Sequence, residues 1–156
     1  MTDGVSHPTG DHSTEAATRT GRFPLPALVP PPAGALFTEW WSGTERRQLL
    51  VQRCRTCDAS QHYPRGVCTS CGGTNLGFEP SGGRAVLYSY TTVWRAPHPD
   101  FTTPYVVALV RLTEGPLLLT RLQGVDEASI ACDEPLRLEW ALLPDGRALP
   151  VFVPDR

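Results

Sequence analysis

Four of the five cysteines form two Cys-x-x-Cys motifs, Cys54/Cys57 and Cys68/Cys71, with ten residues between them. Each motif places two thiols on one tight turn. Two such turns brought together supply four sulfur ligands, which is the structural site that zinc prefers. The residue after such a motif usually needs a left-handed backbone conformation. Gly72 occupies this position after the second motif, and Asp58 occupies it after the first. Glycine adopts that conformation readily, and aspartate tolerates it better than most residues. The sequence therefore predicts a structural four-cysteine zinc site.

Two other chemistries compete for these cysteines. A redox dithiol needs a single Cys-x-x-Cys motif, usually at the start of a helix in a βαβ unit, and the sequence shows no such context. Iron in a rubredoxin-like electron carrier also suits four thiolates. A zinc site with four protein ligands leaves no open position for water, so its role is to fold the chain around it. The fifth cysteine, Cys132, is interpreted as a buried structural thiol, with a nucleophile as the alternative.

The overall composition excludes several classes of function. All 14 basic residues are arginine, which excludes lysine chemistry, and the net charge of −2 argues against a nucleic-acid scaffold. The sequence contains no Gly-rich phosphate loop, no Gly-x-Ser-x-Gly elbow and no His-Glu-x-x-His motif. No apolar run approaches the roughly 18 residues of a membrane helix, and no signal peptide is recognisable. We therefore expect a soluble cytoplasmic protein with reduced or metal-bound cysteines.

The first two of three predicted regions differ sharply in composition. Residues 1–35 are polar and then proline-rich, with six of the 16 prolines in the first 32 positions, which predicts a disordered tail or a short docking peptide. Residues 36–80 form a helical segment followed by the zinc ribbon. Apolar residues at helical spacing begin at Leu36, and a capping box at 42–45 predicts that a second turn restarts there. Residues 48–53 are either the end of that turn or a short strand.

The third region, residues 81–156, contains five segments rich in β-branched and aromatic residues. They are 84–94, 104–112, 115–123, 135–143 and 148–153. Within the fourth segment, strict alternation predicts one buried face, made of Leu136, Leu138, Trp140 and Leu142. Five strands without an intervening helical pattern predict a small antiparallel barrel or sandwich, and five is the strand number of an OB-fold barrel.

A series of short motifs runs in order from about Leu36 to Pro154. They are WWSG at 40–43, RCRTC at 53–57, YPR at 63–65, CTSCG at 68–72, SYTTV at 89–93, APHP at 96–99, PYVVALV at 104–110 and LPVF at 149–152. Their order and spacing resemble the zinc-ribbon OB-fold family whose members accompany thiolase-like, lipid-transfer-type proteins. The chain departs from that pattern at Asp58, Tyr63 and Thr69, and none of these positions is a metal ligand.

The resemblance implies a mainly β protein with N-terminal helices, a rubredoxin-like zinc ribbon and a C-terminal five-stranded OB-fold barrel. It also implies a hetero-oligomer in which this chain is an accessory subunit with structural Zn²⁺. A thiolase-like partner would carry the chemistry on a coenzyme A thioester, and this chain would help to form the acyl-CoA channel without catalysing alone. The partner reactions in such a family are condensation, acyl transfer or retro-aldol side-chain cleavage, as in steroid and lipid degradation.

Seven residues are candidates for contact with a ligand or partner, with ordinary packing as the alternative for each. They are Trp40, Trp41, Trp94, Arg95, His98, Phe101 and Tyr105. Arginine suits phosphate groups because its planar fork forms paired hydrogen bonds. The proline-rich loop at 97–104 is the predicted meeting point, since stiff exposed loops often carry function. His62, between the two cysteine motifs, is interpreted as a surface residue of the ribbon.

A single-stranded nucleic-acid binder is the main alternative function, because OB barrels and zinc ribbons both serve that role. Tyr88, Tyr90 and Trp94 are available to stack on bases. However, residues 81–156 contain seven arginines and nine acidic residues, which does not form the positive groove that a nucleic-acid backbone requires. An independent enzyme or electron carrier is the third alternative.

Overall fold

The computed structural model describes residues 34–98, 101–126, 128–143 and 145–155, so the predicted tail lies almost wholly outside the described residues. A 3₁₀ turn, Ala35–Phe37, leads into one α-helix, α1, Thr38–Glu45. The expected restart of a second turn at 42–45 is wrong, since these residues complete α1. The helices that the resemblance implied are thus one helix and one 3₁₀ turn in the described part of the chain.

Gly43 is the reason that α1 fits closely against the strand that follows it. That strand, β1, spans Leu50–Cys54 and settles the open interpretation of residues 48–53 in favour of a strand. The Gly43 carbonyl accepts hydrogen bonds from the backbone N–H groups of Arg46 (3.0 Å) and Gln48 (2.9 Å). A Cβ atom on Gly43 would lie 2.7 Å from the Leu50 Cγ and 2.9 Å from the Gln48 carbonyl oxygen. The space for a side chain is therefore taken by Leu50.

We expect Gly43→Ala to destabilise the protein by about 1–3 kcal/mol, because the added methyl group overpacks the contact with Leu50. This penalty opposes the gain of roughly 1 kcal/mol that alanine brings to a helix. Gly34→Ala is the matched control, since no atom lies within 4 Å of its added Cβ. Urea unfolding measures both variants. A Gly43→Ala protein as stable as the wild type would contradict the role given to this contact.

The zinc ribbon is built on a three-stranded antiparallel sheet. Its strands are β1, β2 (Ser60–Gln61) and β3 (Leu76–Pro80), in the order β2-β1-β3. Two buried glutamines fasten the loop after β2 to this sheet. The Gln61 Nε2 donates to the Gln52 Oε1 at 2.6 Å, and these side chains also accept the backbone N–H groups of Arg65 and Thr69, each at 2.9 Å. Hydrogen bonds of these two side chains thus position the loop.

The C-terminal region is a closed barrel of five strands, as the sequence predicts for an OB fold. The strands are β4 (Arg84–Val93), β5 (Tyr105–Leu112), β6 (Leu117–Leu122), β7 (Pro135–Leu142) and β8 (Ala148–Pro154), in the order β4-β5-β6-β8-β7. Alternate side chains of these strands fill the interior, where Leu87, Val110 and Phe152 are fully buried. In the described part of the chain, no helix has the length and apolar character that crossing a membrane requires.

The barrel closes through a parallel seam, which corrects the antiparallel expectation at one point. Strands β6 and β8 are paired in parallel at a single Cα pair, Leu122 with Phe152. Pro150 has no N–H to donate toward β6, and its carbonyl accepts the Thr120 hydroxyl at 2.8 Å. The short pairing leaves the first halves of both strands available to line a groove.

The predicted buried face of β7 is correct at Leu136 and in part at Leu138 and Trp140, which pack half-buried against the core, but wrong at Leu142. Leu136 is buried, but Leu142 is 43% exposed and its neighbour Ala141 is buried instead. β7 pairs with β4 only as far as Arg137, and beyond that residue β8 is its sole strand neighbour. Leu142 thus lies at the end of β7 that is not paired with β4.

Candidate metal centre and aromatic groove

The four cysteine sulfurs lie within 4.8 Å of one another. The Sγ atoms of Cys54 and Cys71 are 3.7 Å apart, as are those of Cys57 and Cys68. Zinc with four sulfur ligands at about 2.3 Å requires sulfur separations of about 3.8 Å, whereas a disulfide requires about 2.0 Å. The thiols are therefore spaced to share one tetrahedral metal ion.

The two cysteine turns have the same backbone geometry. The N–H of Asp58 donates to the Cys54 carbonyl, and the N–H of Gly72 donates to the Cys68 carbonyl, both at 2.9 Å. Asp58 and Gly72 have φ values of 60° and 73°, which confirms the predicted left-handed positions. Each turn thus folds its two thiols toward the other turn.

The electrostatics of the cluster favour a bound cation. The backbone N–H of Thr56, 3.4 Å from the Cys54 Sγ, lowers the pKa of that thiol to about 6. At Cys71 the N–H of Gly73 acts in the same direction, but the side chains of Cys57 and Cys54 outweigh it and raise the pKa to about 12. Four thiolates this close repel one another, and a dication removes that repulsion.

The fifth cysteine, Cys132, is exposed, so its interpretation as a buried thiol is wrong. It lies between Ile130, which is buried, and Asp133, which has a left-handed φ of 66°. The N–H of Asp133 donates to the Leu87 carbonyl at 2.8 Å and fixes the turn. The chain therefore faces outward at Cys132 although its neighbours contact the barrel.

A groove of about 440 Å³ lies where α1, the ribbon and the barrel meet. Aromatic and aliphatic side chains make up most of its wall. The lining residues are Phe37, Trp40, Trp41, His62, Tyr63, Phe101, Tyr105, Val107, Leu118, Leu119, Thr120, Arg121, Leu149, Pro150 and Val151. A cavity of this size and character is typical of a site for an apolar ligand or partner side chain.

One wall of the groove is an aromatic chain from α1 to the ribbon. The rings of Trp40 and Trp41 meet edge to face at 4.8 Å, and His62 lies 5.9 Å from Trp40 and 4.1 Å from Tyr63. Trp40 is buried, whereas Trp41 is partly exposed and carries the Arg147 guanidinium 4.7 Å above its ring. Trp40 therefore packs in the interior, and Trp41 contributes to the surface.

The opposite wall is a second stack on the barrel. The rings of Phe101 and Tyr105 are stacked at 5.7 Å, and the Arg121 guanidinium lies 4.3 Å over the Tyr105 ring. Leu119, on the same outward side of β6 as Arg121, is 54% exposed. This wall thus combines apolar surface with one cation.

Four of the seven predicted contact residues meet in the groove, namely Trp40, Trp41, Phe101 and Tyr105. The other three, Trp94, Arg95 and His98, are exposed and do not line it. Trp94 follows β4, the strand that also carries the exposed Tyr88 and Tyr90. Pro99 and Asp100 of the predicted contact loop lie outside the described residues.

Several groove residues escape sequence reasoning. Leu119 and Arg121 alternate with buried neighbours on β6, so a strand pattern finds their outward direction but not the surface that they share. No local sequence pattern identifies Tyr63 of the ribbon as a groove residue. His62 is a correction, because it is half-buried against Trp40 rather than on the ribbon surface.

Burial lowers the pKa of His62 to about 4. Between pH 6.5 and 4 the unfolded chain binds a proton at this residue and the folded chain does not, so stability falls as the pH is lowered through this window. We expect His62→Gln to remove up to about 1.4 kcal/mol of that loss per pH unit. Urea unfolding at several pH values measures the slope. His98→Gln, at an exposed histidine, is the control; an unchanged slope in His62→Gln would contradict the assignment.

Two family models match consecutive parts of the chain. One describes the rubredoxin-like zinc ribbon domain of ChsH2 and matches residues 41–77, and the other describes the C-terminal OB-fold domain of ChsH2 and matches residues 78–141. A solved chain described as "Ltp2-ChsH2(DUF35) aldolase" is 35% identical with a TM-score of 0.75, over 81% of this chain and 100% of that one. This chain belongs to the ChsH2 zinc-ribbon and OB-fold family. The ribbon match includes all four clustered cysteines, which supports a structural zinc site.

Two curated relatives are similar to this chain over part of their length. A probable enoyl-CoA hydratase alpha subunit of Thermomonospora curvata is 38% identical over 74% of this chain and 36% of its own length. A 3-oxo-4,17-pregnadiene-20-carboxyl-CoA hydratase alpha subunit of Mycobacterium tuberculosis is 29% identical over 83% of this chain and 41% of its own length. The chain thus spans about two fifths of these relatives. A DUF35 protein of unknown function from Sulfolobus solfataricus, 16% identical with a TM-score of 0.59 over 78% of this chain and 87% of its own, shares the fold.

Proposed function

We propose that this chain is the accessory subunit of a thiolase-type acyl-CoA complex and that the partner carries the chemistry. The observation that carries the proposal is the match to the aldolase's ChsH2(DUF35) chain, which this chain covers over its whole length. The reaction proposed for the pair is retro-aldol cleavage of an acyl-CoA side chain, in the cytoplasm. The zinc-ribbon relatives with coenzyme A thioester substrates in their names support the substrate class.

The aromatic groove is the proposed contribution of this chain to the acyl-CoA channel. Its wall presents Trp41, Phe101, Tyr105 and Leu119 at the junction of helix, ribbon and barrel. An acyl group is apolar, and its transfer from water to such a wall is favourable by about 25 cal/mol per Å² of apolar area. The groove supplies binding and exclusion of water, while the reacting groups belong to the partner.

The proposed role of zinc is to hold the ribbon wall of this groove in place. Bound Zn²⁺ would be coordinated by Cys54, Cys57, Cys68 and Cys71 and would supply folding free energy to the ribbon. Four cysteine ligands occupy its coordination sphere, so it has no position for an acyl-CoA oxygen. The ribbon loop between the cysteine turns carries Tyr63 into the groove, which links metal binding to the shape of the site.

The hydratase names of two relatives define a second reaction to test. This chain matches about two fifths of those subunits, and its match to the aldolase's chain is complete in length. We therefore assign to it the accessory role and not the hydration of an enoyl-CoA. The chain alone is expected to hydrate no enoyl-CoA, and turnover by the purified zinc-loaded chain would exclude the accessory role.

Complex formation tests the proposal. The tagged full chain is coexpressed with thiolase-type proteins of the same cells, and size-exclusion chromatography with mass determination identifies the hetero-oligomer and its zinc content. A stable complex that contains both chains supports the proposal. A chain that stays alone with every thiolase-type candidate overturns it.

Single-stranded nucleic acid is a second candidate ligand, favoured by the exposed aromatic residues Tyr88, Tyr90 and Trp94. The Tyr88 ring is covered by the Arg111 guanidinium at 4.7 Å, and the Tyr90 hydroxyl donates to the Ile130 carbonyl at 3.1 Å, so both rings already have protein partners. A salt-dependent fluorescence titration with an oligonucleotide distinguishes this candidate. Tight, salt-sensitive binding would favour it over the acyl-CoA function.

A further inference from the structure

The aromatic groove carries one positive charge and no negative charge in the described part of the chain. Among the described residues that line the groove, Arg121 is the only one charged at pH 7, because burial holds His62 neutral and none of them is an aspartate or glutamate. The remaining lining is apolar or aromatic apart from the Thr120 hydroxyl, which donates to the Pro150 carbonyl. An unbalanced cation in apolar surroundings attracts an anion strongly, since the local dielectric is low.

Arg121 also differs from the paired arginines of the described residues. Those paired with a carboxylate are Arg53, Arg84, Arg137 and Arg147. Among the described residues, Arg121 forms no such ion pair, and its buried Nε has no hydrogen-bond partner there. Burial holds the pKa of Arg121 below its ordinary value, which reflects the cost of keeping this charge out of water. The cost is offset when an anion binds.

The Tyr105 ring fixes the orientation of this guanidinium. It lies 4.3 Å from the Arg121 Cζ, and Phe101 stacks on Tyr105 from the loop before β5. A stacked guanidinium loses little further freedom when it forms two parallel hydrogen bonds to a carboxylate. The geometry thus combines a pre-oriented donor fork with an adjacent apolar cavity of about 440 Å³.

We infer that the groove binds a small molecule with an apolar body and a carboxylate, and that Arg121 is the contact for the carboxylate. The inference rests on the same groove as the proposed function and names the class of group that the groove selects. Acyl groups that bear a second, free carboxylate are the corresponding thioester ligands. Apolar groups without an anionic oxygen leave Arg121 unpaired and bind more weakly.

Decanoate and decan-1-ol are the probes, since they differ in charge and share an apolar chain. Both are titrated into the zinc-loaded full chain, and the tryptophan emission reports binding because Trp40 and Trp41 line the groove. We expect decanoate to bind at least about tenfold more tightly than decan-1-ol, because only decanoate forms charge-assisted hydrogen bonds with Arg121. Arg121→Met is expected to abolish this ratio while decan-1-ol still binds, which shows that the groove is intact.

Arg111→Met is the matched control. Arg111 also lies over a tyrosine ring, at 4.7 Å from Tyr88, but outside the groove, so the ratio of affinities should not change. Arg121→Lys keeps the charge and loses the planar fork, and its ratio should fall between those of wild type and Arg121→Met.

Three results would overturn the inference: wild-type protein that binds both probes equally, wild-type protein that binds neither probe, and Arg121→Met protein that keeps the preference for decanoate. The probes need no partner protein, so this experiment fails independently of the proposed function. A chain that binds decanoate through Arg121 but never joins a thiolase-type partner would refute the accessory role and leave this inference standing.

Discussion

Cys54→Ser is expected to release the metal and unfold the zinc ribbon. The Cys54 thiol is buried, lies 3.7 Å from the Cys71 thiol and accepts the Thr56 N–H, so serine removes a ligand at the centre of the cluster. The ribbon has a sheet of three short strands, and apparent zinc-binding energies of structural sites are about 10–16 kcal/mol. Loss of the ion therefore removes a free energy comparable to the whole free energy of unfolding of a typical domain.

Zinc content by atomic absorption and thermal unfolding measure this effect. Cys132→Ser is the matched control, because Cys132 is exposed and lies outside the cluster. The control should retain one zinc per chain and the wild-type Tm. A Cys54→Ser protein that also retained one zinc per chain with a native ribbon would refute the ligand assignment.

Leu119→Lys is expected to weaken the proposed complex by about 30-fold or more. Leu119 is 54% exposed on the groove wall, so lysine should be tolerated in the isolated chain. In the complex, this surface is proposed to face the partner and the acyl group, and an unpaired ammonium there would be buried away from water. Burying such a group, or truncating a central contact, typically costs 2 kcal/mol or more.

Leu142→Lys gives the comparison for this effect. Leu142 is also an exposed leucine of a barrel strand, at 43%, but it does not line the groove. Its affinity for the partner, measured by biolayer interferometry, should stay within about threefold of wild type. Equal losses in the two variants would mean that the groove is not the contact surface.

The metal site was predictable from the sequence because all of its determinants are local. The four cysteines fall within 18 residues, and the left-handed residues Asp58 and Gly72 follow each motif directly. Residue type and spacing alone therefore define the ligand set. The five barrel strands were predictable for a similar reason, since each strand is rich in β-branched and aromatic residues and is bounded by turn residues.

The groove was not predictable because three distant segments build it. Trp41 on α1, Tyr63 on the ribbon and Arg121 on β6 meet only after the barrel has closed against the helix. No spacing in the sequence relates these residues. The surroundings of Arg121 also depend on the folded chain, since none of the described residues that line the groove is a carboxylate.

The parallel seam and the contact at Gly43 also depend on tertiary structure. The sequence does not show that β8 lies beside β6. Only in the folded chain does Pro150 face β6, where it has no N–H to donate. From the sequence alone, Gly43 is only a residue that weakens a helix. The structure shows that it leaves space for the Leu50 side chain. In both cases, the role of the residue depends on a contact with another element, β6 for Pro150 and β1 for Gly43, which local propensity does not predict.

The most direct test of the accessory role is acyl-CoA cleavage by reconstituted proteins. The thiolase-type partner alone, this chain alone and their equimolar mixture are each assayed for retro-aldol cleavage of a side-chain acyl-CoA thioester. We expect turnover by the mixture and none by this chain alone, with loss of turnover when Leu119→Lys replaces the wild-type chain. Full turnover by the partner alone, or any turnover by this chain alone, would contradict it.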